Sequence, residues 1–373
     1  MKIAIYQPRV SYYVGGAEII ALEHAKFLAL NKHRVTIITT RAAFIRKSRY
    51  FYSFCKANKE IKIDYIKVPK YLDWIYKKQA GTDWERWDLE SLFLSGLTTP
   101  YFTNNKFDII AVHNFLDALS IPMYKNVVVH LHGYPQQFNY LHKLGKYFCG
   151  NYIAVSKYVK KQWEQTLRLK NIFVVTNGIE SQLFIPKSQI RKIYDVLYVG
   201  RFIPIKGINF LIQAISNLDI PDLKVAIVGV GPEKNTLILL AKKLGILNKI
   251  TFLGYVSNQK LVDVYNSSKM VVLPSYDREG ILTTMLEASS CSIPVITTTA
   301  CSMKEFLKHK NNGILVRAKN VRDISQAIEL LYKDEKLRLK LGQKARRDII
   351  RQWDWRIKIK DLERIYEKIS NHN

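Results

Sequence analysis

Short apolar runs alternate with longer segments of helical period along the whole chain. That alternation admits few folds, because it calls for parallel strands joined by crossover helices. Ile3-Ala4-Ile5-Tyr6 reads as a buried strand, Glu18 to Leu30 as a helix and Val35-Thr36-Ile37-Ile38 as the next strand, which makes a βαβ unit. Further strands are expected at Ile61 to Val68, Ile109 to Val112, Val127 to Val129 and Tyr152 to Val155. The pattern lapses between Asn177 and Lys192, where Asn177-Gly178 and Pro186-Lys187-Ser188 mark a linker. A second series follows, with strands at Val196 to Val199, Val225 to Val228, Ile250 to Phe252, Met270 to Leu273 and Val295-Ile296, and helical period from Leu337 to Ile369. The expected fold is α/β, with two Rossmann-like doubly wound domains facing across a cleft. Open sheets of this kind bind ligands beyond the carboxyl ends of their strands.

The 373 residues suit two domains, and 48% hydrophobic content excludes a disordered or collagen-like chain. No apolar stretch has the length of a signal peptide or a spanning helix, so a cytoplasmic protein is expected. Cys55, Cys149, Cys291 and Cys301 are scattered and form no C-x-x-C pair, which argues against a disulfide framework or a zinc site.

Lysine and arginine outnumber aspartate and glutamate by 58 to 31, a net charge of +27 that calls for an anionic partner. Residues 1–180 hold 26 basic and 13 acidic side chains and 181–373 hold 32 and 18, so the charge belongs to the folded body and not to a tail. Between Arg41 and Lys78, eleven basic residues, among them Arg46, Lys47 and Arg49, interleave with Tyr50, Phe51, Tyr52, Phe54, Tyr71, Trp74 and Tyr76. Cations mixed with amphipathic rings suit an anionic membrane surface, and the same mixture suits single-stranded nucleic acid or a plain solvated face.

Five segments carry candidate chemistry. Gly15-Gly16-Ala17-Glu18 opens the first helix, where bare backbone and helix-start amides favour an anion, or simply a tight turn. Val199-Gly200-Arg201 with Lys206-Gly207 follows a strand and sets two cations around a proline-bearing turn, fit for a diphosphate or for solvent. Gly229-Val230-Gly231 is not G-x-G-x-x-G, so no dinucleotide fingerprint is read there. Glu279 and Glu287 flank Gly280-Ile281-Leu282-Thr283. Eight helical residues rise roughly 12 Å, so these carboxylates are too far apart for a catalytic pair and suit opposite ends of an extended ligand. His130 and His132 alternate onto one face of a strand, with His132 at its carboxyl end, and no third metal ligand is spaced nearby.

Taken in order, these segments resemble the retaining GT-B glycosyltransferases of the family 4, group 1 type. Ala154-Val155-Ser156, Thr176-Asn177-Gly178-Ile179, Phe252-Leu253-Gly254-Tyr255-Val256, Pro294-Val295-Ile296 and Asn312-Gly313 follow the same pattern, with Glu279 to Glu287 as its E-x7-E motif. The resemblance implies an N-terminal acceptor domain over residues 1–178, a linker over 179–192, a nucleotide-sugar domain over 193–350 and a helix over 351–373, carrying Trp355 and Tyr366, that returns to the first domain. It implies a hexosyltransferase that uses a UDP- or GDP-linked sugar without a metal or other cofactor. Arg201 and Lys206 would hold the diphosphate, Glu287 the ribose and Glu279 the donor sugar. Tyr255 and Val256 would lie near the base, Gly15 and Gly16 near the diphosphate, and His132 at the sugar or acceptor. Gly280, Ile281, Leu282 and Thr283 would line the donor. The acceptor is expected to be a glycan or lipid-linked precursor, met at the inner membrane face through the Arg41 to Lys78 stretch.

The sequence departs from the pattern at Leu282, at Ser292 and in the Thr297-Thr298-Thr299-Ala300-Cys301-Ser302 loop, where the family commonly has glycine or proline, which leaves the sugar open. A nucleic-acid-binding protein would explain the charge but not Arg201, Lys206, Glu279 and Glu287. A GT-B epimerase would alter a sugar without any acceptor.

Overall fold

The computed structural model describes residues 1–13, 15–42, 48–72, 84–121, 126–135, 140–147 and 149–371. Arg46, Lys47, Trp74, Tyr76, Lys77 and Lys78 of the basic aromatic stretch lie outside the described residues. The chain divides into two compact units, Met1–Thr176 with Lys358–Asn373, and Asn177–Ile357.

The first unit is built on a seven-stranded parallel sheet: β1 Lys2–Tyr6, β2 Arg34–Arg41, β3 Lys62–Lys67, β4 Ile109–Val112, β5 Val127–Leu131, β6 Asn151–Ala154 and β7 Ile172–Val174, in the order β3-β2-β1-β4-β5-β6-β7. Its central strands are apolar on both faces. Ile3, Ala4, Ile5, Ile109, Ala111, Val128 and Val129 are all buried, as a sheet covered by helices on either side requires. The strand order reverses between β1 and β4, which pair in register from Ile3 with Ile109 to Tyr6 with Val112.

The second unit carries a six-stranded parallel sheet: β8 Tyr194–Val199, β9 Val225–Val228, β10 Ile250–Gly254, β11 Ser268–Leu273, β12 Val295–Thr298 and β13 Ile314–Val316, in the order β10-β9-β8-β11-β12-β13. Here the order reverses between β8 and β11. Residues 179–192 lie within this unit.

The C-terminal segment differs from the single helix that its period suggests. A helix over Glu335–Asp348 widens into a π turn at Ile349–Trp353, Asp354 is extended, and a new helix runs over Trp355–Ser370. The break exists because the backbone here bonds elsewhere: Ile179 donates to Trp353 O at 2.8 Å, and Trp355 donates to Ile179 O at 3.1 Å. Asp354 Oδ2 accepts from the Ser181 amide at 3.2 Å. Arg346 braces the same place from the preceding helix, donating to Ser181 O and Phe184 O.

Among the described residues, no helix is long and apolar enough to cross a membrane. In the basic stretch, Ser48 caps a helix over Arg49–Ala57 by accepting from the Phe51 amide, and Phe51 and Phe54 turn inward. Arg49, Tyr52, Lys56, Lys59, Lys62, Lys67, Lys70 and Tyr71 are exposed.

Candidate functional site

In the second unit, the loops that leave β8 and β11 start at the point where the strand order reverses, the place where an open sheet leaves room for a ligand. Two contacts lock these loops together. Tyr276 donates its amide to Ile205 O at 3.0 Å. Gly207, at φ +67°, lets the backbone pass so close that a Cβ there would lie 2.4 Å from Pro274 O. The result is an ion pair between groups 73 positions apart in sequence: Lys206 Nζ lies 2.6 Å from Glu279 Oε1, with side chains only 14% and 13% exposed. Arg201 stands exposed on the same β8 loop. Burial, followed by the nearby Glu279 charge, holds the Tyr198 phenol well above its usual range, so it stays neutral beneath this pair.

Beyond Glu279 the chain has no regular secondary structure, with Leu282 extended, before a helix begins at Thr283 and ends at Ser290. Only part of the Glu279 to Glu287 interval is therefore helical, and the rise of eight helical residues does not apply. Ile281 and Leu282 turn their side chains into the core, 4% and 7% exposed. What Gly280, Ile281, Leu282 and Thr283 can offer a ligand is chiefly backbone. Among the described residues no side chain caps this helix, and no acid occupies its first turn, so its leading amides keep the unmet donor capacity that draws anions to a helix start.

Glu287 sits one turn along that helix, partly buried, and accepts from the Tyr265 hydroxyl at 2.7 Å. Burial pushes its carboxyl up to about 7, with the Tyr265 bond pulling the other way. Tyr265 comes from the helix Asn258–Asn266, where its sequence neighbourhood gives no hint of a polar role. Tyr255 is exposed at the end of β10, after Gly254, while Val256 packs on the core edge.

The Gly229-Val230-Gly231 turn has a packing role. Gly229 has φ +137°, and a Cβ there would fall 1.9 Å from Gly200 O, so the glycine lets the β9 loop lie against the loop that carries Arg201. The threonine-rich end of β12 and the loop that follows it brace from the other side. Thr297 Oγ1 donates to Leu273 O at 2.8 Å, Thr298 Oγ1 to Ser275 O at 2.5 Å, and Ser302 Oγ to Glu279 O at 3.3 Å. Hydroxyls thus fix the segment that presents Glu279.

In the first unit, Gly16 begins the helix Gly16–Leu30, exposed and with open space where a Cβ would be, while the Gly15 amide donates to Glu18 Oε2 at 3.0 Å. Burial raises the Glu18 carboxyl above its ordinary value. Behind this loop, Arg9 is wholly buried between Glu90 at 3.0 Å and Asp117 at 2.9 Å.

His132 follows β5 and is partly buried. Its Nε2 lies 3.0 Å from Nδ1 of His113, the residue that follows β4. His113 stacks on His130 with ring centroids 4.4 Å apart, and His24 lies 5.3 and 5.0 Å from the two. The fold thereby supplies the further histidines that local spacing does not show. His113 could have been noticed, since it ends an apolar strand just as His132 does; His24 sits mid-helix with no local signal. Burial drives His24 down to about 3 and His132 to about 4, and burial with neighbouring imidazoles takes His113 and His130 well below the usual range. All four rings are neutral near pH 7. Nε2 of His113 is buried without a hydrogen-bond partner among the described residues, a deficit that typically costs about 1–3 kcal/mol.

Residues 14–183 match the family model described as Glycosyltransferase Family 4, and residues 180–348 match Glycosyl transferases group 1. An uncharacterized glycosyltransferase of Methanocaldococcus jannaschii is 32% identical over 174 residues, 46% of this chain and 44% of that protein. A GDP-mannose-dependent alpha-(1-6)-phosphatidylinositol monomannoside mannosyltransferase of Mycobacterium tuberculosis is 26% identical over 48% of this chain and 51% of its own. The matched segments thus span about half the length of these curated relatives. The crystal structure of Anabaena HepE in complex with UDP and glucose superposes with a TM-score of 0.78 over 99% of this chain and 100% of that one, at 18% identity, which shows a shared GT-B fold. Two family models in succession cover residues 14–348, and the chain belongs to the family 4, group 1 glycosyltransferases.

Proposed function

We propose that the protein is a retaining hexosyltransferase that takes its sugar from a UDP- or GDP-linked donor. The observation that carries this reading is the Lys206–Glu279 pair at the strand-order reversal of the second sheet, next to Arg201 and the uncapped start of the Thr283–Ser290 helix. Arg201, Lys206 and the helix-start amides hold the diphosphate. As the bond to the sugar breaks, negative charge grows on the departing phosphate, and fixed cations and dipoles stabilise it without reorganising. They fill the role a divalent ion would otherwise have, so transfer proceeds without one. Glu287, positioned by Tyr265, accepts from the ribose hydroxyls, and Tyr255 and Val256 flank the base. Glu279 orients the donor sugar by accepting from its hydroxyls while its other contact fixes Lys206. No residue acts as a covalent nucleophile; the leaving phosphate takes the acceptor's proton. His132 contacts sugar or acceptor, and Gly16 leaves room for a ligand at the helix start of the first unit.

The acceptor in this reading is a glycan precursor, lipid-linked and met at an anionic membrane surface. Exposed Tyr52 and Tyr71 among Lys56, Lys59, Lys62, Lys67 and Lys70 support it, because rings settle at head-group depth while lysines meet anionic lipid. Calorimetric titration with UDP, GDP and ADP, with and without magnesium, tests the donor site. The expected result is metal-independent binding selective for one base and weakened in Glu287→Ala and Lys206→Ala. Absence of binding by all three nucleotides overturns the reading. For the membrane, flotation with vesicles containing anionic lipid should fall in an Arg49→Glu, Lys56→Glu, Lys59→Glu triple variant; unchanged flotation removes that part.

A further inference from the structure

We infer that His24, His113 and His130, all in the first unit, form a buried site for a transition-metal ion of the zinc type. One ligand nitrogen from each residue lies within 4.8 Å of the others, and all three side chains are buried. They come from three different elements, the helix Gly16–Leu30, the end of β4, and β5, so the cluster is made by the fold and not by a local turn. The second observation is Nε2 of His113: it is buried, it has no hydrogen-bond partner among the described residues, and its residue is only 2% exposed. The other nitrogen of the same ring lies 3.0 Å from His132 Nε2. That is the arrangement expected of a ligating imidazole, in which one nitrogen is kept for the ion and the other donates to a partner that fixes the tautomer. His130 is likewise held by Tyr366, whose hydroxyl lies 2.8 Å from its Nε2.

An all-imidazole set selects zinc, copper, nickel or cobalt over magnesium or calcium, which prefer oxygen. A tetrahedral ion with bonds of about 2.0 Å holds its nitrogens roughly 3.3 Å apart, so the rings close inward on binding. The stacked rings of His113 and His130, now within 2° of parallel, must turn about their outer torsions to face one ion. A gain follows for His132. With His113 Nε2 on the metal, Nδ1 of His113 carries the proton and donates it to His132 Nε2, which leaves His132 with its own N–H on Nδ1. The ion therefore sets which nitrogen of His132 is a donor.

The test is metal binding by the intact protein. Metal-stripped protein titrated with Co²⁺ should develop visible ligand-field bands that saturate at stoichiometric metal and vanish on adding Zn²⁺. His24→Leu and His113→Leu should lose the bands, while His142→Gln, at a histidine outside the cluster, should keep them. Failure of the wild-type protein to develop bands, or bands that persist in both leucine variants, overturns the site. Should those variants misfold, zinc-edge X-ray absorption of the wild-type protein decides: a shell of three imidazoles supports the proposal, and a sulfur or oxygen-only shell refutes it.

Discussion

Replacing Glu287 by glutamine removes one largely buried ionisable carboxyl while leaving an oxygen to accept the 2.7 Å bond from Tyr265. The carboxyl is moved from its ordinary value of 4.5 to about 7 by burial, a rise of about two and a half pH units, and each unit is worth about 1.36 kcal/mol. Below pH 4.5 the carboxyl is protonated in both folded and unfolded chains and costs nothing. Between 4.5 and 7 the unfolded chain ionises while the folded one holds its proton, so the folded state binds more protons and stability falls as pH rises. Above about pH 7 the deficit is constant, at roughly 3 kcal/mol. Glu287→Gln should therefore match the wild type near pH 4.5 and exceed it at about pH 8. At about 2–4 °C per kcal/mol for a unit of this size, the gap in melting temperature is about 6–12 °C. Scanning calorimetry of both proteins across that range measures it. A gap that does not vary with pH, or one that widens toward acid, refutes the assignment of a buried, reluctantly ionised carboxyl. Nucleotide affinity gives the mirror image, rising with pH through about 7 in the wild type and staying flat and weak in the variant.

Lys206→Met should cut transfer by about a hundredfold or more, the usual scale for losing one charge-stabilising group, and should lower the melting temperature because it strands the mostly buried Glu279 carboxylate; steady-state kinetics with the nucleotide sugar and scanning calorimetry measure the two. Glu279→Gln should also lose activity, and a double-mutant cycle should find the two strongly non-additive, because each fixes the other. Gly229→Ala sets a methyl 1.9 Å from Gly200 O at φ +137°, so it should destabilise the second unit by several kcal/mol and displace the Arg201 loop, seen as a lower melting temperature with weakened nucleotide binding. Arg9→Met strands the buried carboxylates Glu90 and Asp117 and should cost about 3–5 kcal/mol in denaturant unfolding.

The strands flanking each strand-order reversal were legible because apolar runs such as Ile109–Val112 and Met270 to Leu273 are long and bounded by polar turns. Ile172–Val174 and Ile314–Val316 escaped because three residues at a sheet edge carry no measurable period. The break at Asp354 escaped for a different reason: local propensity favours continuing the helix, and the backbone partners that stop it lie near Ile179. Arg201, Lys206, Glu279 and Glu287 could be singled out from strand-end position and spacing. Pairings such as Lys206 with Glu279, Tyr265 with Glu287, or His24 with His113 depend on which loops the sheet order makes neighbours. No run of adjacent residues encodes that.

The discontinuity of the first unit has a consequence for synthesis. Tyr366, fully buried and bonded to His130, and Glu363, 2.8 Å from Asn31 and 2.9 Å from His33, complete a core whose other parts were translated hundreds of residues earlier. Domains fold as units while the ribosome is still working, and N-terminal ones usually finish first. Here the order inverts: the second unit, continuous from Asn177 to Ile357, has its whole sequence before the first can close. Until the Trp355–Ser370 helix emerges, the nascent first unit keeps an apolar seam open, and a chaperone has that interval in which to hold it.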